Sequence, residues 1–524
     1  MKRISPLDAA WLMLESRDTP MHVGGLFEFT LPPGAGEGFL AETLEKMRQE
    51  RNVPPPWNLK LVDGPVVGHR LPLMREDRDV DLDYHVRHSA LPYPGGQREL
   101  GILVSRLHSH QLDMHRPLWE LHLIEGLEGD RFAIYIKMHH SLIDGVSGIR
   151  MLLRTLSTDP DERGMGAFWT VGAQEKPKRP RERKPSGPLD GLLGAAIGSA
   201  HTAIGLGRAG VELGLASFED GGLSAPYTAP SSALGGHLNG QRRFATQQYD
   251  LERLKKLAKD AGATLNDIVL YLSSSALRLY LASTGRMPER SLTAGIPVNL
   301  RDPDDQSAGT AIGMLIAELG TDIADPRKRL DAIKKSVAEA KEHQRELPPA
   351  ARTPYTLLLN SPYIVGLMAG LGGSAPIPFN VAISNVPGPS ETLYFNGARL
   401  EAVFPLSLLT HGNALNITCL SYAGTLNFGF TGARDTLPHL QKLAIHMRDS
   451  VEELDELVHP KRKRRRAASK PRTATKASGG TTKSRAKKPA RKAKSKGAAS
   501  GSARSNGSSG GSRTKSPSRS QSES

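Results

Sequence analysis

The residues most able to do chemistry stand together at Met138-His139-His140-Ser141-Leu142-Ile143-Asp144-Gly145. Imidazole takes up and releases a proton near neutrality, so a histidine held rigidly at the edge of a cleft can act as a general base. Adjacent strand residues point to opposite faces, so only one of His139 and His140 can face a cleft while the other serves structure. Asp144, at a helix start, can hold the loop by an ion pair or a capping bond, and Gly145 allows the backbone to approach closely. The i, i+4 spacing of His140 and Asp144 also admits a metal, but a third ligand is not evident. A lone histidine would read as a satisfied core residue. The whole H-H-x-x-x-D-G string at a strand-to-helix junction is much more specific, and it points to catalysis.

Other chemistries fit less well. The one G-x-S-x-G match, Gly507 to Gly511, has no strand before it and lies in a low-complexity tail. No P-loop and no dinucleotide-binding glycine pattern follows a strand. The single cysteine, Cys419, sits in a strand pattern and reads as a small core residue, which excludes a disulfide framework or a cysteine metal cluster.

The elements that must position the motif follow from periodicity. Arg131 to Met138 alternates Phe132, Ile134, Ile136 and Met138, a strand with one apolar face on the core. Leu118 to Leu123 is its partner across a turn at Gly126 to Asp130, and Gly145 to Leu156 is a helix, so His139 to Asp144 forms the loop between strand and helix. Upstream, Ser5, Pro6 and Asp8 open a helix, His22 to Phe29 is a strand, and Gly95 to Leu112 is a helix. Downstream, Thr264 and Asp267 form a capping box for a long helix. Strands are expected at Leu292 to Leu300 and Phe379 to Asn385, with a hairpin at Leu415 to Tyr422 and Thr425 to Thr431. Asp325 to His343 and Leu437 to Leu457 are amphipathic helices. Helices and strands mix in both halves, which implies two α/β units sharing an interface.

The string His139 to Gly145 resembles the active-site motif of CoA-dependent acyltransferases with the chloramphenicol-acetyltransferase-like fold, shared with peptide-synthetase condensation domains. More closely it resembles the bacterial wax ester synthase/acyl-CoA:diacylglycerol acyltransferase family. Ser5-Pro6-Leu7-Asp8 with Pro20 to Gly24, Pro117-Leu118-Trp119, Asn266-Asp267 and Ser384 to Pro389 carry the narrower match, which spans roughly residues 4 to 455. The resemblance implies an α/β fold of two chloramphenicol-acetyltransferase-like subdomains with the active site in a channel at their interface. The expected division is 1–171 for the subdomain carrying the motif, 172–243 for a linker, 244–459 for the second subdomain and 460–524 for a disordered tail. It implies transfer of a long-chain fatty acyl group from acyl-CoA, a co-substrate, to diacylglycerol or a long-chain alcohol, with no bound cofactor or metal. In that reading His140 is the general base, His139 its support, Asp144 and Gly145 shape the loop, and Asn266 is a polar stabiliser near the reacting centre. Pro117 to Trp119 is then packing, and Asn385 to Pro389 a rigid turn after a strand. A carrier-protein-dependent acyltransferase and a non-enzymatic lipid-inclusion tether are the competing classes.

The charge belongs to location and not to chemistry. The chain of 524 residues has a net charge of +15, yet Lys461 to Ser524 holds 21 basic residues and one acidic residue, leaving the rest slightly acidic. A basic nucleic-acid-binding globule is thereby excluded for the body. The tail has no Leu, Ile, Val or aromatic residue and is expected to be disordered. Clustered Lys and Arg suit an anionic membrane or lipid-inclusion surface, with nucleic acid as a second partner. Lys176 to Pro185 is a charged, proline-broken linker, and Gly191 to Gly207 is uncharged but too short and too rich in glycine to span a membrane. The N-terminus shows no signal-peptide pattern, so a cytoplasmic protein peripherally associated with membrane or lipid inclusions is expected.

Overall fold

A computed structural model describes residues 2–4, 6–62, 72–143, 145–172, 227–299, 312–346, 349–374 and 376–460. Asp144, the Lys176 to Pro185 linker, the Gly191 to Gly207 stretch and the basic tail lie outside the described residues.

The first half runs β1 (Lys2–Arg3), α1 (Pro6–Leu14), β2 (His22–Thr30), α2 (Phe39–Gln49), β3 (Leu59–Leu61), β4 (Leu73–Glu76), α3 (Leu82–His85), β5 (Val86–Ala90), α4 (Gln97–Ser109), β6 (Trp119–Leu127), β7 (Arg131–His139) and α5 (Gly145–Leu153). The second runs β8 (Arg242–Asp250), α6 (Leu251–Asp260), α7 (Leu265–Ser283), β9 (Thr293–Asn299), β10 (Ile312–Glu318), α8 (Pro326–Glu346), α9 (Pro349–Met368), β11 (Val381–Pro387), β12 (Tyr394–Phe395), β13 (Ala398–Leu406), β14 (Leu415–Tyr422), β15 (Thr425–Ala433) and α10 (Leu440–Val458).

Two six-stranded sheets result, ordered β12-β13-β2-β7-β6-β5 and β10-β9-β11-β14-β15-β8, beside a small β1-β4-β3 sheet. The first sheet thus takes β12 and β13 from the half of the chain expected to form the second unit. The sheets touch closely: a Cβ added to Gly429 on β15 would lie 1.9 Å from the carbonyl oxygen of Pro405 on β13. Val386, Leu420 and Tyr422 of the second sheet also enter the core of the first.

One face of β7 carries Phe132, Ile134, Ile136 and Met138 into that core, as the alternation requires. The opposite face is buried too, because α4 lies across it. Glu99 accepts a hydrogen bond from Gly96 N at 3.1 Å and closes the N-terminal end of α4, so the helix is shorter than the sequence pattern suggested. In the second half, Thr264 Oγ1 accepts from Asp267 N at 3.2 Å and Asp267 Oδ2 from Thr264 N at 2.9 Å, the expected capping box. Strand β11 runs two residues past its expected end, pairing with β14 as far as Pro387 opposite Ser421. Asn385 and Val386 therefore belong to the strand, and the turn begins after Pro387.

Candidate active site

His139 ends β7 and is pinned on both flanks. Its backbone N–H donates to Leu118 O at 2.9 Å, and that of His140 donates to Met21 O at 2.9 Å. The motif therefore hangs from the residues that lead into β6 and β2. The two histidines have different surroundings. His139 is buried, while His140 is half-buried with its ring against the indole of Trp11 on α1, centroids 4.5 Å apart.

The hydrogen bonds of His139 fix its tautomer. Nδ1 accepts from Ser141 N at 3.1 Å and lies 2.7 Å from Ser141 Oγ, so in the neutral ring the proton sits on Nε2. Nε2 faces Glu15 Oε2 at 3.4 Å, close enough for an ion pair but outside good hydrogen-bond geometry. Glu15 is itself held: Oε2 accepts from Met21 N, and Oε1 accepts from Gln111 at 2.8 Å. His139 is thereby held in place between Ser141 and Glu15.

Gly145 starts α5, and among the described residues a Cβ there would meet Val23, at an ordinary 3.9 Å. Gly148, one turn on, is the tighter position, with a Cβ 3.0 Å from Met138 Sδ. Asn266 lies in the first turn of α7, half-buried, and among the described residues no hydrogen bond joins it to the His139–His140 loop. Trp119 is fully buried and donates from Nε1 to Trp57 O at 2.7 Å, stacked on His85 and packed against Trp57 and Trp169. Cys419 is buried in β14, its thiol 3.5 Å from Asn385 Oδ1, and burial pushes its pKa up.

Behind His139 the α4-facing side of the sheet is polar. Glu120, His122, Tyr135 and Lys137 are buried there, with His22 opposite His139 on β2. Lys137 Nζ donates to Leu107 O at 3.1 Å and His110 O at 2.7 Å, holding the C-terminal end of α4, and lies 3.3 Å from Glu120. His108 Nε2 donates to Ser407 O at 3.1 Å, which leaves Nδ1 to accept from the Tyr135 hydroxyl at 2.8 Å. Burial works to raise the Glu120 pKa, but His122, Lys137 and Arg87 together draw it down to about 2. Burial lowers the Lys137 pKa against the pull of Glu120. Sequence patterning missed this layer, along with Trp11 and Glu15. The polar parity of Tyr135, Lys137 and His139 was visible, but nothing local showed that α4 would cover it.

Burial also lowers the pKa of His22, His85, His108 and His122, that of His108 to about 3. Above the unfolded-state value of about 6.5 these histidines are neutral in both states and cause no pH dependence. Below it the unfolded chain takes up protons that the folded protein declines, so stability falls as pH falls. Each can contribute up to about 1.4 kcal/mol per pH unit down to its folded value. Urea midpoints should therefore decline from pH 7 to pH 5, and a flat profile would contradict buried neutral histidines.

A separate open cleft of about 680 Å³ is bordered by Lys60, Asp77, Asp81, Asp113, Arg116 and Pro117. Its cations are paired, Lys60 with Asp77 at 2.6 Å and Arg116 with Asp81 at 2.8 Å, and neither His139 nor His140 lines it. Among the described residues no group of three or more His, Cys, Asp or Glu is placed to hold a metal ion, and no helix is long and apolar enough to cross a membrane.

Comparison with known proteins identifies the family. Residues 4–269 match the wax ester synthase/diacylglycerol acyltransferase catalytic domain, and residues 308–455 match the C-terminal domain of the same family. A putative diacylglycerol O-acyltransferase of Mycobacterium tuberculosis is 43% identical over 482 residues, covering 86% of this chain and 97% of the relative. The O-acyltransferase WSD of Acinetobacter baylyi is 37% identical over 460 residues, covering 86% of this chain and 96% of its own. The solved wax ester synthase/diacylglycerol acyltransferase of Marinobacter aquaeolei VT8 superposes with a TM-score of 0.70 at 35% identity, covering 87% of this chain and all of that one. The first condensation domain of the calcium-dependent antibiotic synthetase shares the fold alone, with a TM-score of 0.52 at 16% identity over 88% of this chain and 97% of that one. With the motif, the two-sheet architecture and these relatives in agreement, the chain is an O-acyltransferase belonging to the wax ester synthase/diacylglycerol acyltransferase family.

Proposed function

We propose that the protein moves a long-chain fatty acyl group from acyl-CoA to the free hydroxyl of diacylglycerol, and to long-chain alcohols by the same chemistry. The observation that carries this reading is the contrast between the two histidines: His139 buried and locked by Ser141 and Glu15, His140 half-buried at the strand end. His140 takes the proton of the acceptor hydroxyl as its oxygen attacks the thioester carbonyl. The C–S bond of the tetrahedral intermediate then breaks, and the imidazolium returns the proton to the CoA thiolate. No acyl-enzyme forms. His139 and Asp144 hold the loop, Gly145 opens the helix that follows, and Asn266 offers a polar group toward the reacting centre. A lipid acceptor also suits the chain's composition, since no Asp, Glu, Lys, Arg or His occurs from Thr353 to Ser390, which includes most of α9.

Purified protein given acyl-CoA with diacylglycerol or hexadecanol should release free CoA in step with ester formed. Acceptor-independent release would mean hydrolysis. No release of CoA with any acceptor tried, combined with transfer from an acylated carrier protein, would favour the condensation-type donor.

The basic tail serves in this reading to hold the enzyme peripherally on an anionic membrane or lipid-inclusion surface in the cytoplasm. Full-length protein is expected to float with phosphatidylglycerol vesicles at low salt and to be released at high salt, whereas protein ending at Val458 should stay in solution. Equal flotation of the two would remove the tail from membrane binding. Retention on DNA in place of vesicles would assign it to nucleic acid.

A further inference from the structure

Helix α1 meets both histidines of the motif. Trp11 and Glu15, four residues apart, are neighbours along one side of a helix and its end. Trp11 lies on the His140 ring with centroids 4.5 Å apart and planes inclined at 38°, and Glu15 Oε2 lies 3.4 Å from His139 Nε2. Both contacts come from a helix and its end whose sequence alone gives no sign of them.

We propose that Trp11 is a positioning residue for His140 that also raises its basicity, the indole face stabilising the imidazolium formed during acyl transfer. This rests on the reading of His140 as the base. The proton balance is unchanged: it passes from the acceptor oxygen to His140 and then to the CoA sulfur, and Trp11 makes or breaks no bond. A cation is attracted to the face of an indole within about 6 Å, whereas a neutral imidazole gains only ordinary stacking. The contact therefore favours the state in which His140 holds the proton.

Charged and titratable groups stand on the described elements that carry the loop or pack on it. Asp8 and Glu15 come from α1 and its end, His22 from β2 and His139 from β7, while Asp144 lies outside the described residues. Glu15 is turned to His139, Met21 N and Gln111, and His22 Nε2 donates to His108 O at 3.0 Å. Tyr363, on the α9 helix that packs on α1, is turned to Thr410 and Asn413.

The test is CoA release from pH 5 to 9 by wild type, Trp11→Leu and Trp11→Phe, with thermal melts as a fold control. Trp11→Leu is expected to lower the plateau of kcat about tenfold and to move the acidic limb of kcat/KM to lower pH by about half a unit to one unit. Trp11→Phe should recover most of both. A lowered plateau with an unmoved limb would make Trp11 packing only. A raised KM for acyl-CoA with unchanged kcat would make it a wall of the acyl site. Titration of the His140 ring signal by NMR, assigned by its loss in His140→Ala, should show the same downward shift without turnover. That measurement stands apart from the acyl-transfer reading. An unshifted signal in Trp11→Leu overturns the proposal even if CoA release proceeds as expected.

Discussion

Replacing His140 by alanine is expected to lower kcat for acyl transfer by about 10²–10⁴-fold while leaving the KM values near those of wild type. A general base acts on the transition state and contributes little to holding either substrate. The fold should survive, because the bond from His140 N to Met21 O at 2.9 Å belongs to the backbone and alanine keeps it. His139→Ala should behave differently. It empties a buried site, removes the partner of Ser141 and leaves Glu15 facing a void. Loss of activity there should come with about 1–3 kcal/mol of lost stability, whereas His140→Ala should melt close to wild type. Full turnover by His140→Ala would dismiss it as the base. Equal destabilisation by both substitutions would dissolve the division of labour between the histidines.

Lys137→Met is expected to be the most destabilising conservative-volume change near the site, by about 3–5 kcal/mol. The ammonium is buried and bridges Glu120 to the last carbonyls of α4. Methionine fills the same space but leaves Leu107 O and His110 O without that donor, and leaves Glu120 with Arg87 as its cationic partner beside the Tyr84 hydroxyl and a neutral His122. Glu120→Gln in the same background should restore part of the loss, because the uncompensated charge is then gone. Urea melts of the two single variants and the double variant measure the coupling. A Lys137→Met protein within about 1 kcal/mol of wild type would mean that water reaches Glu120 and that the pair is not sealed.

The fold was most legible where side chains repeat locally. The alternation of Phe132 to Met138, the Thr264–Asp267 cap and the β14–β15 hairpin all appear where periodicity placed them. Strand β8 was harder to see because it is the edge strand of its sheet, and Arg-Arg-Phe-Ala-Thr-Gln-Gln-Tyr-Asp carries few apolar residues. Strand β13 carries an apolar pattern, but no local signal says that it crosses to the other sheet. At the site the motif announced itself, whereas its supports did not. Glu15, Trp11 and Lys137 are ordinary residues until the packing of α1 and α4 against β7 brings them to the histidines.

Strand β13 pairs along β2, Arg399 opposite Thr30, so the first sheet is joined by residues from the two ends of the body. On the ribosome β2 emerges early and its partner only after most of the chain has been made. At roughly 5–20 residues per second that delay is on the order of tens of seconds. Throughout it, Phe27 and Phe29 belong to a strand with one edge unpaired, a template for wrong pairing with other chains. Newly made protein should accordingly depend on holding chaperones, and supplying more of them should raise its soluble yield without any change in the sequence.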